Sequence, residues 1–522
     1  MQQSPVFAYD RVLYPSYLHE QTHPDRLAVI GSFFGMTPKP AENCRVLELG
    51  CGTGASLLSF ALDLKESEFY GVDLSQREIE IGNEIKDFVG LSNLQLIHGD
   101  VMKIGPDELG VFDYIVAHGL YSWVPDPVRA RILDICREML APQGIAFISY
   151  NAYPGAHLRQ MVREMMLFHT SGIDDPEKKV VQARALVKFM LEAVPAEKPH
   201  KATYDAELNA TLEKYSESIF HDDLADINRA FYFSEFAADA AAHGLKYLSD
   251  VQYLTGKNLN YAPNVVKTLQ DLGDDVARRE QYLDFLDCRR FRQSLLVHAN
   301  LELTSTPKVD VLERVYIGSD IQAENDEPKL TSKQHEVFHG PNEQRIEIDH
   351  PLSKALLYHL IRIRPQPIKL DELVQKAREA LNEEHGGEFE VSDEDVEAVK
   401  DLMMRIFGHG LLELQVHLPF FAPTVSDHPT ASPLVRWQAA HGSSLSSLRH
   451  ETLHMDDALM LKLLQLLDGT RDIEQLHAEM VKFVEGPDLK ITPEQREDIS
   501  GKLRDRIPLA LESLAGRALL IS

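Results

Sequence analysis

The sequence predicts an α/β fold, and three observations predict it. Through the first 155 residues, short apolar runs alternate with amphipathic, helix-patterned stretches. The connections between them are brief, and the apolar runs end on Gly or Asp. Alternation with short connections implies a parallel sheet with right-handed crossovers, a Rossmann-like sheet. A helical insertion is expected to interrupt that sheet, and α+β winged-helix-like domains to follow it.

Each element has its own signal. Residues 45–54, RVLELGCGTG, read as strand and tight turn, and ASLLSFALDL continues as a helix. EFYGVDLS (68–75) is a strand ending in Asp73, followed by the helix SQREIEIGNEIKDFVG. NLQLIHGDV (93–101) is a third strand, ending in Asp100, and FDYIVAHG (112–119) a fourth. The helix PVRARILDICREML then stops at APQG (141–144), and IAFISYNAYPG (145–155) is the fifth strand. From 156 to about 230 the pattern is helical; FYFSEFAADAAAHGLKYLSDVQYL (231–254) is a helix closed by Gly244 and a further strand. FRQSLLVHANLEL (291–303) supplies one more strand, and 304 to about 345 is polar and reads as linker or irregular edge. Three amphipathic helices and the strand LLELQVHL follow, the grammar of a winged helix, and beyond HPTASP (428–433) a second such unit is expected. The expected division is therefore 1–155, 156–230, 231–303, 304–427 and 428–522.

At 522 residues the chain is too long for one core. Apolar content of 44% and charged content of 26% are ordinary for a globular protein. There is no apolar run of about 18 residues and no signal-like N-terminus, so a cytoplasmic protein without membrane insertion is expected. The four cysteines lack ligand-like spacing, and no metal site is expected. A net charge of −28 repels polyanions, so no nucleic-acid partner is expected, whereas a basic protein segment suits such a surface.

In ELGCGTG, Gly50, Gly52 and Gly54 stand at the carboxyl end of the first strand, where backbone N–H groups can approach a ligand. Alone, this also fits a dinucleotide fingerprint with Ala55 in the last place. Asp73 stands where a carboxylate can accept ribose hydroxyls, and Asp100 where one can accept from an adenine amino group. ELGCGTG, GVDLS and HGDV together resemble the first three motifs of class I S-adenosyl-L-methionine (AdoMet)-dependent methyltransferases. The resemblance implies that the Gly50–Gly54 loop holds the methionine end of AdoMet, with Glu48 near its amino group. Asp73, with Leu74 beside it, would bind the ribose; Asp100 and the Val101 backbone would bind the adenine.

A lysine amine, pKa about 10.4 in water, must lose its proton before it attacks a methyl sulfonium. An aromatic slot with orienting acceptors suits that task. AHGLYSWVP after strand four offers His118, Tyr121 and Trp123; YNAYPG after strand five offers Tyr150, Asn151 and Tyr153. Asn151 and Tyr153 are the better slot candidates, with Tyr121 and Trp123 beside them. Trp123 and Tyr150 read equally well as core aromatics, His118 as a residue packed along the cofactor, and His157 as a helix cap. No Asp-Pro-Pro-Tyr or Asn-Pro-Pro-Tyr motif follows strand four, which disfavours a nucleobase or glutamine amide as acceptor.

AHGLYSWVP, YNAYPG, FHDDLADINRAFYFSEFAADAAAHGLKYLSD and LRHETLHMDDALMLKLLQLLDGTRD further resemble bacterial methyltransferases with a methyltransferase regulatory domain, similar to those that modify outer-membrane proteins on lysine. That resemblance implies protein-lysine N-methylation, a dimerising helical insert (hence a homodimer), and winged-helix-like C-terminal parts. It also implies that Tyr14, His23 and Arg26 close over the cofactor. A small-molecule methyltransferase and a non-catalytic AdoMet-sensing regulator stand as alternatives. In the C-terminal parts, VSDEDVEAVKDLMMRIF opens on acids and suits peptide docking or scaffolding better than a DNA groove.

Overall fold

The computed structural model describes residues 12–14, 17–251, 261–272, 275–340, 344–487, 489 and 491–522. Its centre is a seven-stranded sheet of β1 (Arg45–Leu49), β2 (Glu68–Asp73), β3 (Leu94–His98), β4 (Phe112–Ala117), β5 (Leu140–Asn151), β6 (Leu245–Asp250) and β7 (Phe291–His298). The strand order is β3-β2-β1-β4-β5-β7-β6. β1 to β5 are parallel, and β7 lies antiparallel between β5 and β6.

Both faces of this sheet are covered, which explains the near-continuous apolar runs. Alternate residues go to opposite sides. Val46, Tyr114, Val116, Ile145 and Phe147 face one core, shared with the helix Pro24–Phe33. Leu47, Leu49, Ile115, Ala117, Ala146 and Ile148 face the other, shared with the helices Asp126–Met139 and Phe233–Ala242. The insert between β5 and β6 carries the helices Ala156–His169, Pro176–Ala193 and Lys201–Leu212, packed around Val162, Met166, Ala183, Val187 and Leu208.

Two expectations are corrected here. APQG does not separate helix from strand: β5 already starts at Leu140 and pairs it with Phe112, with a register shift before Tyr114. A proline stops a helix but leaves the chain free to run extended. The stretch expected as linker or irregular edge carries short strands instead. β8 (Tyr316–Gly318) pairs with β12 (Ile368–Lys369) and β13 (Glu413–Gln415), while β9 (Gln322–Ala323), β10 (Glu336–His339) and β11 (Arg345–Ile348) form another sheet. These strands are short, and fully buried residues such as Ile317 and Phe338 hold them, so the surrounding sequence stays polar.

The helices Pro351–Ile363, Leu370–His385 and Asp393–Gly408 pack on the first core. The last helices, Pro433–His441, Ala458–Leu466, Ile473–Glu485 and Pro493–Gly516, enclose a separate core with the hairpin of β14 (Ser444–Ser446) and β15 (Thr452–His454). Asp457, Asp472 and Thr492 cap the last three of these helices, accepting from first-turn N–H groups. Among the described residues, no helix is long and apolar enough to cross a membrane.

Candidate active site

The sheet order reverses between β1 and β4, and a crevice is expected at the carboxyl ends of such strands. A cavity of about 760 Å³ opens there. Its floor is the glycine loop. Gly50 and Gly52 take φ of +71° and +55°, which L side chains rarely adopt, and a Cβ on Gly52 would meet nothing within 4 Å. Gly52 N–H donates to Asp73 Oδ2 (2.8 Å), and Ser75 N–H donates to Asp73 Oδ1 (2.8 Å), so the acid ending β2 braces the loop.

Gly54 does not line the cavity. At φ +72° it precedes the helix Ala55–Asp63, and a Cβ there would sit 2.8 Å from Leu96, so the position serves packing. Gly82 has a related role: its helix, Gln76–Val89, lies so close to the loop that a Cβ would stand 2.3 Å from the Thr53 carbonyl oxygen.

Glu48, Asp73, Leu74, Asp100, Val101, His118 and Tyr14 all line the cavity. Burial, with the charge of Asp73 added, pushes Glu48 up to about 8. His19, at 4.0 Å from His118 in an edge-on pair, is pushed down to about 4 by burial. His118 is held well below its ordinary value by burial and by His19. Its Nδ1 is 2.9 Å from Ser149 Oγ, and that oxygen accepts from Gly119 N–H at 2.8 Å, so the ring is fixed and neutral.

Trp123, Asn151 and Tyr153 also line the cavity. Asn151 N–H donates to Ser122 Oγ (2.8 Å), and Asn151 Nδ2 donates to Asn228 Oδ1 (2.8 Å). The Tyr153 ring stacks on His157 at 4.1 Å. Tyr121 is a correction: it is 1% exposed and packs in the sheet core against Phe231 and Phe236, at 5.3 and 5.5 Å, away from the cavity. Tyr150 shares that core. His157 lies inside the first turn of its helix, whose N-cap position is Gly155.

His23 and Arg26 are a second correction. His23 caps the helix Pro24–Phe33 by accepting from Asp25 N–H, and its ring stacks on His450 at 4.5 Å. Both residues lie in a small cleft with Asp63, Gln415, His417 and Arg449, at the junction with the C-terminal half. Neither residue lines the cavity of the glycine loop.

Sequence reasoning missed several lining residues, among them Tyr17, His19, Arg159, Asp222, Asn228 and Arg290. Asp222 and Asn228 belong to the FHDDLADIN segment, whose pair of acids beside apolar residues was the available signal.

Known proteins agree with this geometry. Residues 46–144 match the family described as a methyltransferase domain. Residues 216–298 match the "predicted methyltransferase regulatory domain", and residues 427–519 the "PKMT, C-terminal winged helix domain". Protein RP789 of Rickettsia prowazekii is 30% identical over 526 residues, covering 98% of this chain and 93% of its own length. The structure of PKMT2 from Rickettsia typhi in complex with AdoHcy is similar with a TM-score of 0.85 at 27% identity, over 98% of this chain and 100% of that one. PKMT2 without that ligand gives 0.84. The chain belongs to the family of class I AdoMet-dependent methyltransferases that join a methyltransferase domain to a methyltransferase regulatory domain and a PKMT-type C-terminal winged helix.

Proposed function

We propose that this chain is a protein-lysine N-methyltransferase that works in the cytoplasm as a homodimer. The observation that carries the reading is the cavity itself, lined by the glycine loop and a ribose-type acid together with carboxamides and aromatics, within a chain similar end to end to PKMT2.

The residues fit AdoMet. The cavity falls inside the range of about 300–1,000 Å³ usual for small-molecule sites. Gly52 leaves an open cradle, and Glu48, neutralised by burial, would regain its charge beside a cationic amine. In this proposal Gly50, Gly52 and Glu48 hold the methionine end, Asp73 and Leu74 the ribose, and Asp100 with the Val101 N–H the adenine. When bound, AdoMet supplies a methyl group on a sulfonium. The chain's own work is alignment of the incoming amine and exclusion of water. Trp123 and Tyr153 wall the slot, Asn151 is held in orientation by Asn228, and His118 is kept neutral and unsuited to act as a cationic partner.

Support for a homodimer comes from the insert, which exposes Phe168 (85%), Phe189 (62%) and Val181 (60%). Four unpaired cysteines suit a reducing compartment. Labelled AdoMet incubated with the protein and cell extract should place label on protein lysines; label confined to small molecules would refute the proposal.

A further inference from the structure

Asp222 lines the cavity and lies in the single π-helical turn among the described elements, Ile219–Asp223. Such turns insert one extra residue and recur at functional sites. Here the turn sends two adjacent acids to different places. Asp223 is 1% exposed and fully matched: Arg159 Nε donates to one oxygen and Lys214 Nζ to the other, each at 2.8 Å. Among the described residues, the side-chain contacts of Asp222 are long, Tyr14 Oη at 3.3 Å and Arg159 Nη2 at 3.5 Å. Its main chain, by contrast, is anchored: Asn228 Nδ2 donates to the Asp222 carbonyl at 2.9 Å, and Asn228 in turn holds Asn151 at the tip of β5.

The arginines of the cavity are already engaged. Arg159 is taken by Asp223, Arg163 donates to the Ala225 carbonyl, and Arg290 grips Glu207. Glu48, Asp73 and Asp100 fall to the cofactor in the reading above. Asp222 is then a partly buried acid of the cavity whose cation, Arg159, stands off at 3.5 Å and is shared with Asp223. Burial pushes its pKa up, against the pull of Arg159 and Lys214, so an incoming cation is favoured there.

We propose that Asp222 is the substrate-cation subsite: its carboxylate receives the ammonium of the incoming target side chain near Asn151, a docking contact made before that nitrogen gives up its proton. The inference rests on the methyltransferase reading of this cavity. Tyr14 helps to define the subsite, because its N–H donates to Glu78 on the cofactor side (3.0 Å) while its hydroxyl reaches Asp222.

The probe is n-butylammonium, which copies the lysine side chain, compared with neutral n-butanol. Binding to the AdoHcy-loaded protein is read by calorimetry or saturation-transfer NMR, without need of turnover. Wild type should prefer the ammonium. Asp222→Asn should lose about tenfold or more of that preference, the scale of one charge-assisted contact, and Asp222→Glu should keep part of it. AdoHcy affinity should stay within about twofold in both. Equal preference in wild type and Asp222→Asn overturns the proposal, as does an AdoHcy affinity that falls in step with it, which would place Asp222 in the cofactor site. Mass spectrometry of protein labelled by the wild type tests the lysine reading separately. Label on another residue type sinks that reading and leaves the ammonium result standing.

Discussion

Asp63 Oδ2 lies 3.1 Å from His417 Nε2, and this contact ties the end of the first helix after the glycine loop to the C-terminal half. His450 Nε2 stands 3.4 Å from the same oxygen, while His450 Nδ1 is 2.9 Å from Ser59 Oγ on that helix. Neither histidine contact to Asp63 Oδ2 has hydrogen-bond alignment. The helix after the glycine loop and the C-terminal half thus meet at Asp63 and Ser59.

That junction has a pH dependence of defined sign. Burial opposes the charge of Asp63, but the two histidines outweigh it and hold the carboxyl well below the usual range. Burial likewise opposes the charge of His417, and Asp63, with Asp25 and Glu42, outweighs it and raises the imidazole above its ordinary value. The Asp63 contribution is present above the unfolded carboxylate value near about 3.9 and is lost as pH falls through its depressed folded value. The His417 contribution is full below about 6.5 and is lost as pH rises through its raised folded value. His417→Gln should cost about 3 kcal/mol near pH 6, the low end for a buried pair losing one partner. In urea unfolding, the gap between wild type and variant should shrink toward about pH 9. A gap independent of pH would show that His417 is not charged in the fold.

Gly82→Ala tests how tightly the helix Gln76–Val89 holds the glycine loop. The new methyl would meet the Thr53 carbonyl oxygen at 2.3 Å and Leu96 Cδ1 at 2.6 Å, and a backbone atom cannot swing aside as a side chain can. Overpacking of this kind costs about 1–3 kcal/mol. The urea midpoint should fall, and AdoHcy affinity with it because the loop is displaced. Unchanged affinity in a destabilised protein would uncouple helix and loop.

The parallel strands were legible because both faces of the sheet are buried, so each strand is an apolar run closed by Gly or Asp. The slot was less legible. Tyr121 and Tyr153 look alike in sequence; what separates them is the helix Phe233–Ala242, which arrives after the insert and buries Tyr121 against Phe236. His23 and Arg26 sit close to Tyr14 in sequence, yet a helix cap turns them toward His450, a partner hundreds of residues away whose position no local pattern encodes. Arg159 and Asp222 reach the cavity only through the packing of the insert, and polar residues on helices carry no mark of which face will be enclosed.

Asp73→Ala should remove most AdoHcy binding. The carboxylate is placed to accept ribose hydroxyls, and it already accepts from Gly52 and Ser75, so its loss also frees the loop. Two charge-assisted acceptors give an expected loss of roughly 2–3 kcal/mol, read by calorimetry. A loss under about threefold would take the ribose away from this acid.

The homodimer is tested at Phe168 and Phe189, the most exposed phenylalanines of the insert. Light scattering on purified wild type should give twice the chain mass, and Phe168→Ser with Phe189→Ser should return the mass toward one chain. A wild type that is monomeric at micromolar concentration removes the dimer from the proposal.

Tyr153→Phe separates the acceptor slot from the cofactor site. The variant keeps the ring, and with it the stack on His157 at 4.1 Å, so neither the fold nor the wall of the cavity should change. It removes only the hydroxyl that could orient a neutral amine. AdoHcy affinity should therefore hold while transfer to protein slows roughly tenfold to a hundredfold, the scale of a misaligned nucleophile. Turnover equal to wild type would take Tyr153 out of the slot and leave Asn151 and Asp222 to orient the amine.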